Sequence, residues 1–444
     1  MLNKEKTYHF IGIKGSGMSA LALILHDSGY KVQGSDKAQY FFTQQGLEAK
    51  QIPMFEFDPD NIQPGLIIIK GNAFGDDHPE MQKAKALGLE TYAYHEFLGG
   101  LLTNYTSIAV TGSHGKTSTT GLLSHTLKHL APLNYLIGDG TGHGQDDASF
   151  FALEACEYRR HFMAYQPDYA IITNVDFDHP DYYQSIDDVF SAFSAFAQQV
   201  KKGLVAWGQD PYLQQLKVDI PVHYYGLSSD NEFSARNIER TTEGASFDVY
   251  REGALLGRFS VPTYGEHNIL NALAVITVLI LEGFDPQAIA QHLMTFQGVK
   301  RRFSVKQIKD LTIIDDYAHH PSEIRATIDA AKQKFPNKQV VAVFQPHTFS
   351  RTVALLEEFG QALNLADHVH LVDIFNSARE SQGQVTIQDL ADKIAGPVDI
   401  VSKENLSPLL GYKDAILLFM GAGDIDQLAR QFESVYGQVA ANKF

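Results

Sequence analysis

The chain has 444 residues, a hydrophobic fraction of 44% and a formal net charge of −16. That length predicts two to four domains, and the acidity excludes nucleic acid and anionic membranes as general partners. The single cysteine, Cys156, excludes an intramolecular disulfide, and with no signal-peptide core before Phe10 and no full membrane span, a cytoplasmic chain without membrane insertion is expected.

Short β-rich runs alternate with amphipathic stretches, which predicts α/β layers. The first block starts with a strand at Tyr8–Ile13 and ends near Gly100. Its Gly15-x-Gly17-x-x-Ala20 matches the dinucleotide fingerprint, so Gly15, Ser16, Gly17 and Met18 would face a diphosphate. Asp36 closes the next strand, where a ribose-binding acid belongs. A tight packing turn is the plainer reading, and the same physics serves NAD or any nucleotide-linked substrate.

The second block opens on an apolar run, Tyr105 to Val110, followed by Thr111-Gly112-Ser113-His114-Gly115-Lys116-Thr117-Ser118 and a leucine-spaced helix. Strand, glycine loop and helix converge on one anion site. Lys116 adds a point charge and Thr117 a hydroxyl for Mg²⁺, so the segment reads as an ATP site. The spacing is G-x-x-G-K-T, because Val110 stands where the common P-loop has glycine. Thr119 and Thr120, with Ser118, are expected to satisfy helix-start amides.

Glu154 and Glu157 end a strand beside that loop and suit Mg²⁺. His179 sits among Asn174, Asp176, Asp178 and Asp181 at another strand end. A helix is expected over Ile186–Val200, with Phe190, Phe193, Phe196 and Ala197 as core. A β-rich stretch runs from Glu232 to Tyr264, then a long helix from Asn268 to Leu281. Asn268 and Asn271 share a face, to cap the helix or to read an adenine edge. A third block, from about Val299, has strands at Leu311–Ile314, Val340–Phe344, Val369–Val372 and Ile416–Met420.

Seven motifs occur in order: T-G-S-H-G-K-T, E-A-C-E, N-V-D-F-D-H-P-D, G-E-H-N-I-L-N-A, K-R-R-F, D-D-Y-A-H-H-P-S-E and F-Q-P-H-T-F-S-R-T. Together they resemble the Mur ligase family of peptidoglycan synthesis, from Gly12 to about Asp424. The resemblance implies three domains: a Rossmann-like UDP domain (1–103), a central P-loop ATPase domain with a parallel sheet and a small β-rich portion (104–298), and a Rossmann-like C-terminal domain (299–444). It implies ATP-driven coupling of a carboxylate to an amine through an acyl phosphate.

By that resemblance Gly15, Ser16, Gly17, Met18 and Asp36 hold the UDP part. Gly112 to Ser118 hold ATP phosphates, and Thr117, Glu154 and His179 hold Mg²⁺. Asn268 and Asn271 bind adenine, Arg302 reaches the phosphates and Asp316 faces the ribose. Tyr317, His319 and Arg351 form an amino-acid pocket, with Lys116, His179, Arg302 and His319 as catalytic groups. The substrates implied are UDP-N-acetylmuramate and L-alanine, taken by a monomer or weak dimer.

Two departures stand out. Many members read E-A-D-E-S-D where this chain has Glu154 to Arg159, and many carry arginine where Thr348 stands. Arg351 is then left to capture the substrate carboxylate. Other readings are an NAD-dependent dehydrogenase, a nucleotide-dependent switch, and a sister ligase that adds a peptide or a different amino acid.

Overall fold

The computed structural model describes residues 2–375 and 383–441, with side chains to Gly437. Met1, which begins the predicted first domain, and 442–444, which end the third, lie outside the described residues. The strands form three sheets of five, ten and six strands.

The first sheet is all parallel. Strand Thr7–Ile11 lies at its centre, between Lys31–Asp36 and Ile67–Lys70. The chain reverses its order there, so a crevice opens beyond the carboxyl ends of those strands. Helix Ser16–Asp27 follows the central strand and buries Met18 to Leu25.

The middle sheet is built on strand Thr106–Thr111, with Phe150–Glu154 and Tyr169–Ile172 parallel on either side. Its strands are continuous hydrophobic runs because both faces are covered. Helix Glu266–Leu281 buries ten residues in one of those layers. The expected β-rich portion is part of this sheet. Strands Phe233–Thr241, Gly244–Arg251 and Ala254–Val261 extend the same sheet as an antiparallel meander. Helix Ile186–Ala197 starts where Ser185 caps the Asp188 amide and ends short of the expected Val200. Phe193, Phe196 and Ala197 are buried, and Phe190 packs against them.

The third sheet is parallel except for its edge strand, Ser304–Ile308. Helix Pro321–Lys334 crosses from it to the middle sheet. Gln333 donates to the Thr241 and Gly244 carbonyls, and Arg240 pairs with Asp329 at 2.6 Å. Among the described residues, no helix is long and apolar enough to cross a membrane.

Candidate active site

The phosphate loop sits at the carboxyl end of strand Thr106–Thr111. Gly112 has φ +129°, and a Cβ there would collide with the Thr173 hydroxyl, so only glycine fits. Gly115, also at positive φ, precedes helix Lys116–Leu127. The Lys116 ammonium is folded back on the loop. It donates to the Gly112 and Ser113 carbonyls and pairs with Glu157 at 2.9 Å. Burial pulls its pKa down, but the neighbouring carboxylates, Glu157 first, reverse this and hold it above the usual lysine range.

Glu157, offered by the sequence beside Glu154 as suited to Mg²⁺, is therefore a principal residue of the centre. It is 1% exposed, and its carboxylate also lies 3.5 Å from His179 Nε2. Burial raises its pKa, and Lys116 more than offsets this, leaving it low. Glu154 has the opposite shift: burial pushes it up despite Lys116 and a hydrogen bond from Thr117. A buried and a half-buried carboxyl group thus face one ammonium. This local acidic excess, beside a threonine hydroxyl, fits a hard divalent cation such as Mg²⁺. Thr117 and Glu154 are in contact, whereas His179 contacts Glu157, the partner of Lys116.

A cavity of about 790 Å³ opens beside the loop. His114, Gly115, Ser118, Asn268 and Asn271 line it from the middle domain, and Arg302 and Asp316 from the C-terminal domain. The structure thus brings the ATP candidates of two domains together. Asn268 does not accept from helix-start amides: its Nδ2 donates to the Tyr264 carbonyl and its Oδ1 accepts from Asn271. The helix begins earlier than expected, at Glu266. Thr120 likewise differs from expectation, because its hydroxyl donates back to the Lys116 carbonyl rather than capping an amide. Arg302 pairs with Glu323 at 3.4 Å and lies over the Tyr317 ring. Burial lifts Asp316 to about 6 against the pull of Arg302. Its two oxygens accept from the Phe303 and Ala318 amides.

The wall residue His267 is held down to about 4, chiefly by burial. An unfolded histidine takes its proton near 6.5. The native state therefore refuses a proton that the unfolded chain accepts. That contribution to stability is complete above 6.5 and is lost as pH falls toward 4. Urea midpoints measured from pH 7 to 4.5 are expected to fall, and His267→Gln is expected to flatten the slope by about one proton.

Beside the phosphate loop, the middle and C-terminal domains meet at two further polar contacts. His114 Nε2 lies 3.1 Å from Asp176, which also accepts from the Ser322 hydroxyl at 2.8 Å. His320 packs against His114 with ring centroids 4.3 Å apart and planes tilted by 36°. Burial would raise Asp176, but its hydrogen bond to His114 brings it to about 2. The second contact is buried: Arg351 Nη2 and Nε lie 2.8 and 2.9 Å from Asp178 Oδ1. Arg351 Nη1 donates to the His347 carbonyl. His319 stands between Tyr317, 5.3 Å away ring to ring, and His347, 6.2 Å away. The predicted amino-acid residues do form one cluster, beside the large cavity, with Arg351 already engaged by Asp178. Sequence reasoning missed Asp176, Asp178, His320 and Glu323 as domain-joining groups, although all lie inside the motifs quoted above.

In the first domain, Gly12 makes the tight turn at φ +85°, while Gly15 precedes the helix at φ −61°. Asp36 accepts from the Lys14 and Lys37 amides and braces this loop. The Met18 side chain is buried in the core with Leu21 and Leu25, which leaves its backbone at the helix N-terminus. A second cavity, of about 650 Å³, lies near the same sheet edge, lined by Gly71, Asn72, His95 and His161.

Three family descriptions match in sequence: Mur ligase family, catalytic domain over 7–106, Mur ligase middle domain over 110–279, and Mur ligase, glutamate ligase domain over 301–423. A protein of Levilactobacillus brevis named UDP-N-acetylmuramate–L-alanine ligase is 58% identical over 99% of both chains. One of the same name from Lactiplantibacillus plantarum is 57% identical over 97% of this chain and 99% of its own. The crystal structure of the Thermotoga maritima UDP-N-acetylmuramate-alanine ligase MurC superposes with a TM-score of 0.80 at 29% identity, over 98% of this chain and all of that one. The fold also matches that of a Thermotoga maritima MurF ligase solved with ADP, at 19% identity and a TM-score of 0.66, over 86% of this chain and 97% of that one. By motifs, by three-sheet architecture and by near-complete similarity in sequence, the chain belongs to the Mur ligase family.

Proposed function

We propose that this protein joins L-alanine to the lactyl carboxylate of UDP-N-acetylmuramate, with ATP converting that carboxylate to an acyl phosphate. The observation that carries this reading is the cavity uniting the phosphate loop with Arg302 and Asp316, in a chain alike end to end to ligases of that name. The domain limits 1–103, 104–298 and 299–444 follow the three sheets.

A carboxylate oxygen is a poor leaving group, so an amine does not displace it in water. Transfer of the γ-phosphoryl group supplies a better one. That step brings two anions together, and the chain offers Lys116 and Arg302 to neutralise them in a site shielded from solvent. Thr117 and Glu154 would hold Mg²⁺, with His179 and Glu157 behind them; the bound ion would screen phosphate charge. Asn268 and Asn271 orient the base, and Asp316 faces the ribose.

The amine must then reach the acyl carbon uncharged. His319 Nδ1 is 2.9 Å from the Tyr317 carbonyl, which fixes its ring. Its other nitrogen is placed to take the amine proton. The Asp178–Arg351 and Asp176–Ser322 contacts keep water from the acyl phosphate by holding the domains together.

The test is phosphate release with UDP-N-acetylmuramate, ATP and a panel of amino acids and peptides. L-Alanine is expected to support the highest kcat/KM. Preference for a peptide would move the protein to a sister activity, and release independent of any amine would end the ligase reading.

A further inference from the structure

A second group of ligating side chains lies on the third sheet. His368 and His370 alternate along strand His368–Leu371, so a period of two puts both rings on one face. The rings stack with centroids 4.6 Å apart and planes 6° apart. Edge strand Val398–Ile400 runs parallel beside them, with Asp399 opposite His370. Asp399 Oδ2 is 2.9 Å from His368 Nε2 and 4.0 Å from His370 Nδ1. One ligand atom from each of the three residues lies within 4.8 Å of the others.

None of the three residues lines the nucleotide cavity. His368 starts its strand, whereas Asp316, which does line that cavity, ends a strand of the same sheet. The two sites therefore belong to opposite edges of the sheet.

His370 is 1% exposed, and its Nε2 lies 2.8 Å from the Tyr412 hydroxyl. Its buried Nδ1 has no hydrogen-bond partner. An orphaned buried N–H is rarer than an orphaned acceptor. The proton therefore belongs on Nε2, donated to Tyr412, and Nδ1 turns a lone pair toward the Asp399 carboxylate. Two electron-pair donors then face each other with no proton between them.

We propose that His368, His370 and Asp399 bind a divalent transition-metal ion of the zinc class, separate from the phosphate-loop centre. Two imidazoles and one carboxylate, with a position left for water, are the donor set such ions take, while Mg²⁺ prefers oxygen alone. A separation of 2.9 Å is that of two adjacent ligand atoms on one ion. Asp399, 54% exposed, is free to close the longer gap and gives the ion its entrance. Tyr412 serves as the outer partner that fixes the ring of a ligating histidine. The bound ion ties a three-residue edge strand to its neighbour and stabilises the domain by mass action.

The test uses the full chain, stripped with EDTA and titrated with Co²⁺ and then Zn²⁺ in excess Mg²⁺. Asp399→Asn and His368→Gln serve as variants. Surface histidines elsewhere contribute equally to all three proteins, so the difference isolates this site. The unmutated chain is expected to take one more equivalent, or to bind at least tenfold more tightly, with visible Co²⁺ absorption that Zn²⁺ displaces. Zn²⁺ is expected to raise its Tm and to leave the variants' Tm unchanged, while metal-free melting and ligase turnover match in all three. Equal stoichiometry and affinity in the three proteins would overturn the proposal.

Discussion

Replacing Lys116 by alanine is expected to lower kcat by about a thousandfold, the scale of losing one preorganised charge stabiliser. The ammonium closes the loop on Gly112 and Ser113 and balances Glu157. Alanine removes the cation that would meet the transferred phosphoryl group and leaves Glu157 buried without its partner. An uncompensated buried charge costs about 3–5 kcal/mol, so the variant is also expected to melt at lower temperature. Lys116→Ala with Glu157→Gln separates the two effects. The double variant should regain stability but not turnover. Binding of UDP-N-acetylmuramate, measured by calorimetry without ATP, should match the parent. Near-normal phosphate release by either protein would refute the assignment of the loop.

Arg351→Ala should reduce kcat/KM for alanine by about a hundredfold or more, mostly by raising KM, the signature of lost substrate binding. The structure adds a second consequence. Arg351 is 4% exposed and is held by Asp178 from the neighbouring domain. Burial would raise the Asp178 pKa, yet Arg351 and nearby histidines keep it well below the usual carboxylate range. Asp178→Asn should therefore loosen the domains without removing the guanidinium. Small-angle scattering should show both variants more open than the parent, and only Arg351→Ala should lose most of its alanine affinity. An unchanged alanine dependence in Arg351→Ala would place the carboxylate pocket elsewhere.

Much of this was legible in the sequence, because the signals are local. A glycine loop between an apolar strand and a leucine-spaced helix needs no tertiary information, and several central strands follow from short apolar runs, whereas short or polar strands such as Met54–Glu56, Ser304–Ile308 and Val398–Ile400 were not picked out. Long-range pairing was not legible. Nothing along the chain says that Glu157 meets Lys116 rather than solvent, or that Asp178 waits for Arg351 across 173 positions. At Met18 the fingerprint did not say that the side chain fills the core while the backbone lies at the helix N-terminus. The β-rich portion was legible as strands, but alternation does not say which sheet edge they join.

The cavity lies between two unequal seams. On one side Asp178 and Arg351 are bonded out of water. On the other, Arg240 and Asp329 are 31% and 48% exposed, and such surface pairs contribute about 0–1 kcal/mol. Thermal motion parts the weaker seam first. A book-like opening with its spine through Asp178 is the expected motion, and its free edge along the antiparallel strands parts once the Gln333 bonds and the Lys334–Tyr264 hydrogen bond give way.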